Sequence, residues 1–146
     1  LGAVNGGNLT WRGNRVWDDD GLPYETGNWT PTLYGSTTAG SPSYSGRWGL
    51  YVRIGGMVHL FAQILLSSKG GMAGDVYIGG LPFASSFPSG GIAGATFGTS
   101  GLTVTLHMDS EAEFIKLVVP GVGNLNANNI TDDFRAYSLQ ISYYIG

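Results

Sequence analysis

The sequence predicts an all-β domain, a jelly-roll-like antiparallel β-sandwich, on three observations. Apolar residues recur at every second position in several segments, glycines separate those segments, and no segment carries convincing helical periodicity. A period of two is the signature of a pleated strand, whose successive side chains point to opposite faces. Glycine makes up 25 of the 146 residues, well above the usual ~7%. Distributed between short apolar runs, it supplies turns between strands instead of one flexible tract.

The chain divides into an N-terminal hairpin and linker over residues 1–27 and a sandwich over residues 28–146. In the first part, Leu9-Thr10-Trp11 and Arg15-Val16-Trp17 flank Arg12-Gly13-Asn14. This pattern predicts a small hairpin. A two-stranded hairpin is marginal in water, so its tryptophans are expected to pack on a neighbouring domain or subunit. Asp18-Asp19-Asp20-Gly21 and Leu22-Pro23 then break regular structure.

From Asn28 the strand signal is persistent. Short strands are expected over Thr30–Tyr34, Ser43–Trp48, Leu50–Ile54 and Asp75–Ile78. Gly55-Gly56 is a hairpin turn leading into Met57–Leu66. In that segment Val58, Leu60, Ala62, Ile64 and Leu66 point one way, and Met57, His59, Phe61, Gln63 and Leu65 the other. Both faces are mostly apolar, so the strand is expected to be covered on both sides. Leu102–Met108 alternates more cleanly, Phe114–Val119 is an apolar run stopped by Pro120-Gly121, and Leu139, Ile141, Tyr143 and Ile145 mark a last strand woven into a sheet. Thr131 to Phe134 is a single turn at most. About eight short strands with glycine-rich turns fit a sandwich or jelly roll.

Composition removes several classes of function. There is no Cys, which excludes a disulfide scaffold, a zinc–thiolate site and a Cys nucleophile. Charged residues are 12% with net charge −3, about half the usual ~25%. Such a surface suits neither nucleic acid, which is held by Lys and Arg on phosphates, nor a polybasic membrane contact. No apolar run approaches the ~20 residues of a membrane-spanning helix. No basic segment precedes an apolar one, so no leader is expected, and Leu1 is read as a boundary within a longer polypeptide.

No enzymatic site, metal or cofactor is expected. His59 and His107 lie on separate strands without the His-x-His spacing of a strand-borne metal pair. No Gly-x-Ser-x-Gly elbow occurs. In Ser67-Ser68-Lys69-Gly70-Gly71-Met72-Ala73-Gly74 the Lys precedes the glycines, the wrong order for a phosphate loop. The acids at 18–20, at Asp109, Glu111 and Glu113, and at Asp132 and Asp133 sit in turn-like segments where carboxylates are ordinarily solvated. Aromatic side chains with polar tips suit interfaces and sugar faces. Those set in Gly/Ser/Thr loops, Tyr34, Trp48 and Phe87, with Arg47 beside Trp48, are the candidate ligand-binding residues.

Five stretches carry a family resemblance: Gly27-Asn28-Trp29-Thr30-Pro31-Thr32-Leu33-Tyr34-Gly35-Ser36-Thr37-Thr38, Tyr44, Gly49-Leu50-Tyr51-Val52-Arg53-Ile54-Gly55, Ser68-Lys69-Gly70-Gly71 and Gly80-Leu81-Pro82-Phe83. In this order they resemble a C-terminal receptor-binding domain of bacteriophage tail fibres and tailspikes, also found in prophage and gene-transfer particle fibres. Gly13-Asn14-Arg15-Val16-Trp17 is similar to an element that often precedes such tips. The resemblance spans most of Leu9 to Phe83; the family's Ser-Gly-Thr-Tyr-like ending is replaced by Ser142-Tyr143-Tyr144-Ile145-Gly146. It implies a homotrimeric, jelly-roll-like tip on the extracellular virion tail, joined to an upstream fibre or baseplate protein and contacting host surface polysaccharide or lipopolysaccharide. Trp29, Pro31, Gly35, Tyr44, Gly49, Tyr51, Ile54 and Leu81-Pro82-Phe83 match the family frame as fold-forming positions, whereas Tyr34, Arg47 and Trp48 fall between them. The alternative is a structural trimerisation or folding cap, or a capsid fibre domain, without receptor contact. A polysaccharide depolymerase is disfavoured because no β-helix repeat is present.

Overall fold

The computed structural model describes residues 4–5, 8–12, 14–17 and 24–146, with side chains described at Arg12 and from Tyr24 onward. The expected N-terminal hairpin forms. β2 (Asn8–Trp11) pairs antiparallel with β3 (Asn14–Trp17), and β1 (Val4–Asn5) adds to its other edge. Arg12 takes the left-handed conformation, φ 52°, at the reversal. The packing expected for Trp11 and Trp17, and the break over 18–23, lie outside the described residues.

The remaining strands build one continuous antiparallel sheet. They are β4 (Tyr24–Trp29), β5 (Thr32–Gly35), β6 (Ser43–Ile54), β7 (Met57–Ser68), β8 (Val76–Gly79), β9 (Ser89–Phe97), β10 (Thr105–Met108), β11 (Ile115–Val119), β12 (Gly123–Asn124) and β13 (Arg135–Tyr144). The order is β4-β6-β7-β13-β9-β10-β11-β8-β5, with β12 paired to β11. Among the described residues the helical content is one 3₁₀ turn, Ala127–Asn129, whose N-cap Asn126 accepts a hydrogen bond from the Asn128 backbone N–H. Thr131 to Phe134 closes as a single turn, as expected.

The shape follows from connectivity. β4 and β5 occupy opposite ends of the strand order, yet Thr30 and Pro31 alone separate them in the chain. Three residue steps from Trp29 to Thr32 reach about 10 Å at full extension. A flat sheet of ten strands spaced ~4.8 Å apart would put its edges several times further away. The sheet must therefore curl into a half-barrel that brings its first and last strands together.

The concave side is the core. Val58, Leu60, Ala62, Ile64 and Leu66 of β7 meet Val76 and Ile78 of β8, Leu106 and Met108 of β10, Ile115 and Leu117 of β11, and Leu139, Ile141 and Tyr143 of β13. The gap left where β4, β7, β8, β10, β11 and β13 converge is about 10 Å³, no more than a single water requires. Trp29 caps this core at 7% exposure, and its indole N–H is shared by the carbonyls of Leu50 and Phe61 at 3.2 Å each. Tyr44 reaches in so that its hydroxyl accepts from the Leu33 backbone N–H at 2.9 Å. Tyr143 is buried and donates to the Phe83 carbonyl at 2.9 Å; burial raises its phenol pKa well above the ordinary value. Two glycines answer to local geometry. Gly55 turns the β6–β7 hairpin at φ 58°, and a Cβ on Gly49 would lie 2.6 Å from the Trp29 indole nitrogen.

The convex side of β7 departs from expectation. Within one chain, Met57 is exposed and His59, Phe61, Gln63 and Leu65 are half-buried, so the second cover predicted for this strand is not supplied by the chain itself. Truncation at the centre of the concave side tests the core assignment. Leu60→Ala should lower unfolding free energy by about 2–5 kcal/mol in denaturant titrations; a loss below about 1 kcal/mol would contradict the burial of this position.

Candidate functional site

The four candidate ligand-binding residues fall in three places. Arg47 and Trp48 come together where β6 runs past the end of β4, whose last pair is Trp29 with Gly49. Residues 43–48 of β6 therefore have one edge without a neighbouring strand. Register bulges between Ser43 and Gly46 twist this end. The Arg47 guanidinium lies 4.1 Å from the Tyr44 ring centroid and donates to the Pro31 carbonyl at 3.3 Å. Trp48 projects from the other face, 50% exposed. Together with Asn28, Thr30 and Pro31 they line an open groove of about 340 Å³.

Tyr34 belongs to a different surface. Register places Tyr34, Tyr77, Lys116 and His107 opposite one another on β5, β8, β11 and β10. Their neighbours Leu33, Ile78, Ile115 and Leu106 fill the core, so alternation directs the row outward. The Tyr34 ring meets Tyr77 edge-on at 5.7 Å, and Tyr77 stacks on Phe114 at 4.7 Å and 29°. Partial burial and the neighbouring Tyr77 raise the Tyr34 phenol pKa. Next along the row, Lys116 Nζ contacts Asp109 Oδ2 at 2.5 Å, while His107 Nε2 lies 3.0 Å from Asp109 Oδ1. The lysine contact holds the Asp109 carboxyl below its ordinary pKa, and the same contact raises that of Lys116. Asp75 adds a second carboxylate near Lys116 and accepts a hydrogen bond from the Asn124 amide at 3.0 Å.

Phe87 is far from both places. It stands exposed against Tyr144, ring centroids 5.9 Å apart, on the rim of the convex face of β4-β6-β7-β13-β9. That face is apolar. Ten large apolar side chains are exposed among the described residues. Tyr24, Trp48, Leu50, Ile54, Met57, Ile92, Phe97 and Tyr144 project from this one face, by the strand registers. Arg135 is its one formal charge among the described outward positions. A polar strip crosses it: His59 Nδ1 lies 2.7 Å from the Ser142 hydroxyl. With Gln140, Gly90, Gly91 and Ile92 they line a shallow groove of about 280 Å³.

The remaining polar motifs are structural. Lys69 Nζ donates to the carbonyls of Ala127 and Ile130, and its backbone N–H to Asp132, clamping the glycine-rich loop against the 3₁₀ turn. Asp133 accepts from the Thr131 hydroxyl, which lowers its carboxyl pKa. Glu25 accepts from the Tyr51 hydroxyl at 2.5 Å, and that bond raises the Tyr51 pKa. Among the described residues no group of three or more His, Asp or Glu gathers as metal ligands. Sequence reasoning missed Tyr77 as the partner of Tyr34, because only strand register brings them side by side, and with it Phe114, which stacks on Tyr77.

No protein-family model matches the sequence, and no curated protein matches it. Among solved structures the fold is similar to that of the crystal structure of Dettilon tailspike protein, gp208, with a TM-score of 0.67 at 17% identity. The match covers 84% of this chain and 24% of that one, so the chain spans about a quarter of the tailspike's length. At that identity the likeness is one of fold.

The Asp109–Lys116 contact sets a pH window. Asp109 is lowered in the folded state, so its contribution is complete above the unfolded carboxyl value of about 3.9 and fades as pH falls through the folded one. Lys116 is raised, so its share persists until pH climbs past the ordinary lysine range. Asp109→Asn should cost at most about 1 kcal/mol at pH 7 and less at pH 2. Equal losses at both values, in denaturant titrations, would rule out the pair as the cause.

Proposed function

We propose that the chain is the tip module of a bacteriophage tail fibre or tailspike, a non-enzymatic homotrimer of jelly-roll-like domains that recognises a polysaccharide or lipopolysaccharide on the host surface. It belongs on the virion, outside the cell, attached to an upstream fibre or baseplate protein. The observation that carries this reading is the nearly uncharged convex face with eight exposed large apolar side chains. Exposed contiguous apolar surface of this kind marks an interaction site. A tail fibre offers the natural cover, two sister copies of the same face around a common axis. The fold shared with a tailspike supports the same reading.

The energetics are consistent. Completing the burial of a half-exposed side chain of this size gains roughly 1 kcal/mol. Eight such residues per chain amount to about 8 kcal/mol, within the range of about 4–15 kcal/mol that association costs. Weak glycan contacts are then multiplied by three copies per fibre and by several fibres per particle. The apolar face equally favours a trimerisation or folding cap without receptor contact, and cell binding separates the two.

Light scattering of the purified chain should give three times the chain mass at micromolar concentration, and the protein should bind host cells saturably. Leu50→Lys with Ile92→Lys should dissociate it and reduce cell binding at least tenfold. A stable monomer at that concentration would sink the trimer. A trimer that binds no host cells would leave the cap reading in place of the receptor-binding one.

A further inference from the structure

We propose that the outward row formed by Tyr34, Tyr77 and Phe114, flanked by Asp109 and Lys116, is a binding surface for an uncharged, hydroxyl-rich saccharide chain. The inference rests on the receptor-binding reading above and gives that reading a site. Its ground is the contrast between the two outer faces of one sheet. On β5, β8 and β11 the concave positions are already filled by Leu33, Val76, Ile78, Ile115 and Leu117. The aromatic rings are therefore surplus to the core, yet they are placed in mutual contact on the opposite side, half-buried. The convex face of β4-β6-β7-β13-β9 carries Arg135 alone among its described outward positions, whereas this one carries Lys116 with Asp109 beside it.

The combination selects its ligand. Pyranose rings present apolar C–H faces that lie on aromatic rings, and hydroxyls that need donors and acceptors at the ring edge. Asp109 and Lys116 stand beside the aromatic row with 49% and 23% of their side chains exposed. Their mutual contact does not exhaust them, since each carboxylate oxygen keeps a further lone pair and the ammonium two further N–H groups. Lys116 also faces two carboxylates, Asp109 and Asp75, so the local charge is negative and repels phosphate, sulfate or carboxylate groups. A protein partner would instead be suited by the nearly uncharged convex face.

The test uses the full chain on an array of bacterial surface polysaccharides holding neutral and acidic glycans, with light scattering and thermal melting in parallel. Wild type should bind neutral glycans. Tyr34→Ala, on an edge strand, and Asp109→Asn, which leaves the packing intact, should each weaken that binding at least tenfold at unchanged mass. Unaltered binding by both variants, a preference for acidic glycans, a change of oligomeric mass in place of glycan binding, or loss confined to Trp48→Ala would each overturn the site while leaving receptor binding standing. Wild type binding neither array nor host cells would overturn both.

Discussion

Two residues impose the architecture. Thr30 and Pro31 tie β4 to β5, the outermost strands of a ten-stranded sheet, and so short a tether permits no flat arrangement. Once the edges are held together, one side of the sheet turns inward and the aliphatic residues of β7, β8, β10, β11 and β13 have a common place to go. Trp29 stands at the tether's entrance and binds the backbone of both β6 and β7 through one indole N–H. The tether thus fixes both the curvature and the plug that seals the curved interior. Pro31, which has no N–H to donate, suits a link that pairs with neither edge.

Curling also produces two unlike exteriors from one sheet. Outward positions on β6, β7, β13 and β9 carry Trp48, Leu50, Phe61, Ile92 and Phe97, with small residues such as Gly46 and Gly90 between them. Outward positions on β5, β8, β11 and β10 carry Tyr34, Tyr77, Lys116 and His107. The first set has little to offer a solute and much to gain from a flat apolar partner. The second mixes rings with paired charges. An apolar partner and a polar ligand would therefore meet opposite flanks without competing for the same side chains.

The strands whose own residues alternate were legible in the sequence. The core-facing side of Met57 to Leu66, Leu106 and Met108, and Leu139 to Tyr143 behave as their pattern dictates, because each buries one aliphatic face. β9 was not legible. Its residues Ser89-Gly90-Gly91-Ile92-Ala93-Gly94-Ala95-Thr96-Phe97 have weak strand preference, and they pleat because β13 and β10 pair with both edges. Likewise Ser43–Trp48 and Leu50–Ile54 read as two strands, but Gly49 fits beneath Trp29 and the strand runs through. The strand signal of Tyr24 to Gly27 was hidden because it derives from pairing with β6 and not from local alternation. Among the candidate ligand-binding residues, Arg47 and Trp48 share a groove since they are adjacent in sequence. Tyr34 and Phe87 are separated from them by register, which composition does not encode.

β13 (Arg135–Tyr144) follows β7 and β9 in the chain and yet lies between them in the sheet. Translation delivers residues one at a time, at about 5–20 per second. While β13 is still within the ribosome, β7 and β9 each present an open backbone edge of the kind that mispairs with other chains. Nascent chains on one messenger are close neighbours at that moment. The pairing of β7 and β9 through β13 therefore waits until β13 has been synthesised, and until then both edges stay open.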